Sequence, residues 1–326
     1  MRILIAGAGA IGGYIGAMLA RAGQDVVLFA RGAHLKAMQE RGLHVLSAEG
    51  NFEVRPEVTG DLQSAGKPDL IILGVKAHGL TQLAPQLKPL IGPETIIVST
   101  QNGIPWWYFR IGAGDFSHMN IERVDPGGVI HDAIPASQVL GSLVYLGTDI
   151  VEPGVIRHTE GNRISLGEPD GSRSERVKLV ADAFIKGGLR TPVTARLRHE
   201  IWVKLLGNIA FNPMSALTRA TLAGMARDTD VRAIVSEIMR EVEAVAAKLG
   251  LELPISIEQR IAGAEKVGEH KTSMLQDLEA CRPMELEAVV GAAVELGERL
   301  GVPMPHTRTV YACTKLLDRT LFNARR

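Results

Sequence analysis

The chain has 326 residues, too many for one small core, so two domains are expected. Its 36 Lys and Arg balance 36 Asp and Glu, and a net charge of zero gives no general electrostatic hold on nucleic acid or on an anionic membrane. No apolar run is long enough to span a bilayer, the N-terminus lacks a signal-peptide layout, and two cysteines (Cys281, Cys313) cannot make a disulfide framework. A soluble cytoplasmic enzyme is expected.

The first half alternates short apolar runs with helical periods, the pattern of a parallel sheet with crossover helices. Arg2–Ala6 reads as a strand, residues 11–22 as a helix and Asp25–Ala30 as the next strand. Leu43–Leu46 and Phe52–Val58, separated by Gly50-Asn51, read as an inserted hairpin. Asp69–Lys76 and Thr95–Thr100 are near-continuous apolar runs, as strands buried on both faces should be. Further strands are expected at Val139–Tyr145, Gly154–His158, Arg163–Leu166 and Thr191–Ala195, with a helix at Ser172–Lys186. Beyond Leu197 long helices dominate: Arg198–Phe211, Asp230–Leu249, Met284–Leu300 and His306–Leu317. The expected organisation is an α/β Rossmann-type domain over residues 1–195 followed by an all-α domain over residues 196–326, with a ligand cleft between them.

Gly7-Ala8-Gly9-Ala10-Ile11-Gly12 matches G-x-G-x-x-G between a strand and a helix. Gly7 permits the tight turn, Gly9 lets backbone approach a pyrophosphate, and Gly12 lets helix and strand pack closely. An NAD site would place a carboxylate at the tip of the second strand. Here that tip is Phe29-Ala30-Arg31, and a guanidinium suits a 2′-phosphate, so NADP(H) is the expected cofactor. Lys76 and Asn102 follow the next two strand ends and project toward the same edge of the sheet.

The run Glu200-Ile201-Trp202-Val203-Lys204-Leu205-Leu206-Gly207-Asn208-Ile209-Ala210-Phe211-Asn212-Pro213 is apolar nearly all round, as a buried helix would be. Lys204, Asn208 and Asn212 nevertheless recur at i, i+4 and i+8 as one polar ridge. A lysine and two amides are costly to bury without partners, and chemistry supplies a reason to keep them. A partly desolvated ammonium can protonate an alkoxide as hydride reaches a carbonyl, with the amides orienting the substrate. His270-Lys271-Thr272-Ser273 reads either as a carboxylate-binding patch or as the cap of the following helix. Pro283-Met284-Glu285-Leu286-Glu287 reads as a helix start, in which either glutamate could face Lys204 or merely offset the helix dipole.

These residues, in this order along the whole chain, resemble the ketopantoate reductase (2-dehydropantoate 2-reductase) family. The matching elements are GAGAIG, Arg31, the VKA around Lys76, the QNG around Asn102, EIWVKLLGNIAFNP, KTSMLQD and the E-L-E after Arg282-Pro283. The resemblance implies a helical second domain of the 6-phosphogluconate dehydrogenase C-terminal type. It also implies NADPH-dependent reduction of ketopantoate to pantoate, toward coenzyme A. Lys204 then matches the general acid and Glu285 an active-site carboxylate. Asn208, Asn212 and Ser273 match substrate-binding positions, Asn102 a residue touching cofactor and substrate, and Lys76 and Arg31 cofactor contacts. Rival readings are a reductase of another 2-oxo acid, a 3-hydroxyacid dehydrogenase and a non-catalytic NADPH sensor.

Two features depart from the family pattern. Trp106, Trp107, Tyr108, Phe109 and Phe116 open a longer segment that reads either as a local hydrophobic cluster or subunit contact, or as a lid over the cleft. Leu222 stands where some members carry a further Asn. The partners expected are a small 2-oxo acid and, through the apolar helical half, a second subunit in a homodimer.

Overall fold

A computed structural model describes residues 1–323 of the chain, which divide into two compact units. One comprises residues 1–101, 105–120 and 127–197; the other comprises Asn102–Ile104, Ile121–Pro126 and the residues from Arg198 onward.

The first unit is built on one nine-stranded sheet among the described residues. Its strands are β1 (Arg2–Ala6), β2 (Asp25–Phe29), β3 (Leu43–Ser47), β4 (Phe52–Val54), β5 (Glu57–Thr59), β6 (Leu70–Leu73), β7 (Ile96–Ser99), β8 (Val139–Glu152) and β9 (Val155–Gly167). They lie in the order β4-β3-β9-β8-β7-β6-β1-β2-β5. The run β5-β2-β1-β6-β7-β8 is parallel throughout. Ile3, Leu4, Ile5, Leu70, Ile71 and Ile72 are wholly buried, so consecutive residues point into two covered faces. The helices are α1 (Ala10–Arg21), α2 (Gly32–Arg41), α3 (Ala77–Leu87), α4 (Val129–Ala133) and α5 (Glu175–Lys186). Ile15 and Leu19 of α1 join Val180 and Phe184 of α5 in the core against Ile3, Ile5 and Leu28.

Several elements differ from the sequence reading. Phe52–Val58 is two strands, because Arg55-Pro56 turns the chain away from β3 and lets Glu57–Thr59 pair with β2. Residues 155–158 and 163–166 belong to one strand, β9, whose antiparallel ladder with β8 carries irregularities around Gly147, while Gly154 lies in the turn before it. Thr191–Ala195 forms no strand; its neighbourhood makes isolated bridges, Arg163 to Arg190 and Leu166 to Val193. The aromatic segment is a packed cluster: Trp106, Trp107, Tyr108 and Phe109 are buried, and Trp107 lies so close to Gly141 that a Cβ there would be 2.6 Å from its ring. A lid would expose those rings when open, so the local-cluster reading holds.

The second unit is helical: α6 (Leu197–Thr218), α7 (Leu222–Arg227), α8 (Thr229–Lys248), α9 (Ile257–Val267), α10 (Ser273–Glu279), α11 (Ala292–Leu300) and α12 (Pro305–Asn323). Asp228 caps α8 by accepting from the Val231 amide, and Ser256 with Gln259 forms a capping box on α9. The core is formed by Trp202, Leu206 and Ile209 of α6, Val235, Ile238, Val242 and Val245 of α8, and Ala293 and Leu296 of α11. The segment around Met284 does not start a helix at Pro283. The chain stays irregular to Glu285, and the first turn is a π-turn, Glu287–Gly291, which leads into α11. Among the described residues no helix is long and apolar enough to cross a membrane.

Candidate active site

The parallel strands end level with one another. Ala6 pairs with Phe29 and Leu73, and Leu73 with Ser99, so the turns after β1, β6 and β7 leave the same edge of the sheet. The strand order reverses at β1, the switch point where ligands bind in open parallel sheets. The glycine loop sits there, and its three glycines differ in what constrains them. Gly7 has φ +112°, and a Cβ would lie 2.5 Å from Val75 Cγ1. A Cβ on Gly12 would lie 2.2 Å from the Gly7 carbonyl oxygen, which explains the close helix–strand packing. Gly9 has φ −75°, and a Cβ there would meet nothing within 4 Å. The fold therefore requires Gly7 and Gly12, and leaves open space at Gly9. Gly9 is also the N-cap of α1, which has no side-chain cap and no acidic residue in its first turn. An uncapped helix N-terminus beside open space fits a pyrophosphate.

Arg31 is exposed at the N-cap of α2, with its guanidinium 5.3 Å from the centre of the Phe29 ring. Lys76 is half-buried at the N-cap of α3. Gln101 donates to the carbonyls of Leu73 and Val75, both at 2.8 Å, fixing the chain where it leaves the sheet edge.

In the helical unit, α6 carries Lys204 and Asn208 half-buried and Asn212 buried along one ridge. The helix continues through Pro213 to Thr218, further than its apolar period suggested. Lys204 Nζ donates to Asn102 Oδ1 at 2.8 Å, joining residues 102 positions apart in the sequence. Asn102 is held by its neighbours: Gly103 has φ +95° and packs so tightly on Ala288 that a Cβ would be 2.3 Å from that carbonyl oxygen. The same oxygen accepts the Ile104 amide at 3.0 Å. The π-turn that contains Ala288 thus anchors the residues next to Asn102.

That turn is anchored by a network the sequence did not reveal. Arg123 Nη1 donates to Glu287 at 2.9 Å, Tyr311 OH to the same carboxylate at 2.8 Å, and Lys315 Nζ lies 2.6 Å from it. Burial pushes Glu287 toward its neutral form, yet hydrogen bonds from Lys315, Tyr311 and Arg123 hold its carboxyl below the usual range. Glu295 extends the network by accepting the amides of Glu122 and Arg123, both at 3.0 Å. The i, i+4 spacing of Tyr311 and Lys315 on α12 was the one available signal. Glu287 is therefore the structural glutamate of the pair, while Glu285 lies half-buried just before the turn. In the KTSMLQD run, Thr272 caps α10 by accepting from Leu275, Ser273 is exposed at the first helical position, and Lys271 is paired with Glu279 at 2.8 Å. The cap reading describes Thr272.

A parallel sheet with a glycine loop at its switch point, followed by a helical unit with a lysine on a largely buried helix, is the architecture of a nicotinamide-dependent oxidoreductase. Within that class the chain belongs to the ketopantoate reductase (PanE/ApbA) family, whose model matches residues 3–171, with its C-terminal model matching residues 196–318. Reductases of this family are NAD(P)-dependent. A 2-dehydropantoate 2-reductase of Mesorhizobium japonicum is 47% identical, over 97% of this chain and 98% of its own. A crystal structure from Ralstonia solanacearum MolK2 matches with a TM-score of 0.93 at 39% identity, covering 98% of both chains. That of 2-dehydropantoate 2-reductase from Methylococcus capsulatus matches with a TM-score of 0.83 at 33% identity, again over 98% of each.

Proposed function

We propose that this chain reduces 2-dehydropantoate (ketopantoate) to pantoate with NADPH, using Lys204 as the general acid. The observation that carries this reading is the 2.8 Å bond from Lys204 to Asn102, which aims an ammonium from a largely apolar helix. The relatives at 47% and 33% identity supply the substrate. When bound, the dihydronicotinamide supplies a hydride to C2 of the oxo acid. The chain's own residues handle the proton: one N–H of Lys204 is committed to Asn102, and another delivers its proton to the oxygen that becomes the hydroxyl. Asn208 and Asn212, on the same ridge, hydrogen-bond the substrate, with Ser273 as a further contact. Glu285 acts as the carboxylate that keeps Lys204 protonated between turnovers. The phosphate loop Gly7–Gly12 holds the pyrophosphate, and Asn102 and Lys76 contact the cofactor. Arg31 pairs with the 2′-phosphate, since β2 ends without an acidic residue. The proposal includes a cytoplasmic homodimer formed through the helical domain, checked by sedimentation velocity.

Steady-state kinetics with ketopantoate, two close 2-oxo analogues and a 3-oxo acid, each with NADPH and NADH, test the reading. The expected result is highest kcat/KM for ketopantoate with NADPH. Cofactor binding without oxidation on any of these acids would refute it in favour of a sensor, and preference for the 3-oxo acid would move it to another dehydrogenase class.

A further inference from the structure

We propose that Arg260 recognises the carboxylate of the substrate, reaching the Lys204 ridge through the space left by Gly207. This deepens the proposed function and rests on it.

The backbone of α6 does not require a glycine at position 207. Gly207 lies mid-way along α6 and is absent from the positions with positive φ, so any L-residue could adopt its conformation. Glycine weakens a helix interior, and neighbouring positions are filled by Leu205, Leu206 and Ile209. The neighbour explains the choice. A Cβ on Gly207 would lie 1.9 Å from Arg260 Nη2, 2.4 Å from Cζ and 2.7 Å from Nε. The guanidinium of Arg260, on α9, thus lies directly on α6 where the side chain of residue 207 would be.

That place adjoins the ridge. Residue 207 is three positions after Lys204 and one before Asn208, about 60° round the helix from the lysine. In a 2-oxo acid the carboxylate carbon is bonded to the carbonyl carbon, so a substrate with its oxo group at Lys204 needs a second donor group close by. The ridge offers amides at Asn208 and Asn212, and Ser273 offers a hydroxyl, none of them charged. Lys271, the cation of the carboxylate-binding patch that the sequence suggested, has its ammonium 2.8 Å from both oxygens of Glu279. A guanidinium carries five donors in a planar fork that matches a carboxylate, and can do so while keeping other bonds. Arg260 is half-buried, where such a pair is stronger than on an open surface.

The test compares ketopantoate with its uncharged methyl ester, both with NADPH, in wild type, R260Q, R260K and G207A. Wild type should prefer the acid by about 100-fold in kcat/KM. In R260Q the KM for the acid should rise by about that factor, with kcat, NADPH affinity and activity on the ester nearly unchanged, so that the preference disappears. R260K keeps the charge and loses the fork, and should recover part of the preference. G207A pushes the guanidinium aside without altering charge, and should reduce the preference less than R260Q does. A purely structural clamp would lower acid and ester turnover together. That outcome, or an unchanged acid-to-ester ratio in R260Q and R260K, would overturn the proposal. Wild-type protein inactive on ketopantoate would instead overturn the function it rests on.

Discussion

The glycine loop and the lysine ridge, the two halves of the proposed site, would hold their chemistry in opposite ways. At the loop the proposed working groups are backbone amides, and side chains matter by being absent: packing demands Gly7 and Gly12, whereas Gly9 faces open space that the fold itself leaves unfilled. On α6 the proposed working groups are side chains, and their aim depends on partners brought from far along the sequence, as Asn102 is to Lys204. A backbone site is therefore specified within six consecutive residues. A side-chain site is specified by the whole tertiary structure of its unit, down to the π-turn at Glu287–Gly291 that anchors Gly103 and Ile104.

The sharpest way to break this contrast is Lys204→Ala. It should lower kcat by about 10²–10⁴-fold, the range for losing a positioned acid, with NADPH affinity by fluorescence titration nearly unchanged. A variant with near-normal turnover would remove the ridge from the chemistry. The loop glycines come next. Gly7→Ala should destabilise the protein by roughly 3 kcal/mol in urea unfolding, because its φ is left-handed and Val75 is in contact. Gly9→Ala should cost much less stability, about 0.5–1 kcal/mol for replacing a glycine N-cap, and weaken NADPH binding by about tenfold or more, since its Cβ would enter the open space where the proposed pyrophosphate would lie. Equal effects of the two would erase the distinction between fold and site. Arg31→Asp should weaken NADPH by about 10–100-fold while sparing NADH; equal losses would refute the 2′-phosphate contact.

The smallest effect concerns the network behind the ridge. Glu287 has a folded-state pKa below its ordinary value of 4.5, so its contribution is present above that pH and is lost as the pH falls through the lower folded value. Its side chain is 41% exposed, and solvent screening limits the contribution to about 1 kcal/mol. Glu287→Gln should therefore lower the Tm slightly at neutral pH and flatten the stability profile below pH 4.5, which scanning calorimetry across that range would detect.

The same contrast explains what the sequence could and could not disclose. The central strands were legible because burial on both faces leaves continuous apolar runs such as Leu70–Leu73. The length of β8 and β9 was not, because register shifts around Gly147 interrupt their alternation. Pro283 with the acidic residues after it has the composition of a helix start. The Met284 amide, however, turns to Asp318 at 3.4 Å, and the helix waits until Leu286. The ridge on α6 was legible from its period alone, whereas Arg123 and Tyr311 meet Glu287 from segments 164 and 24 residues away, a distance no local pattern encodes. The aromatic run left two readings open, and burial decided between them.

The two outermost strands, β4 and β5, are three residues long and joined by Arg55-Pro56, with Glu53 and Glu57 among their residues. Rims so short, charged and interrupted by proline give another polypeptide little ladder to extend. Polymerisation by strand addition is thereby discouraged at both ends of the strand order, which the two-residue link holds close together.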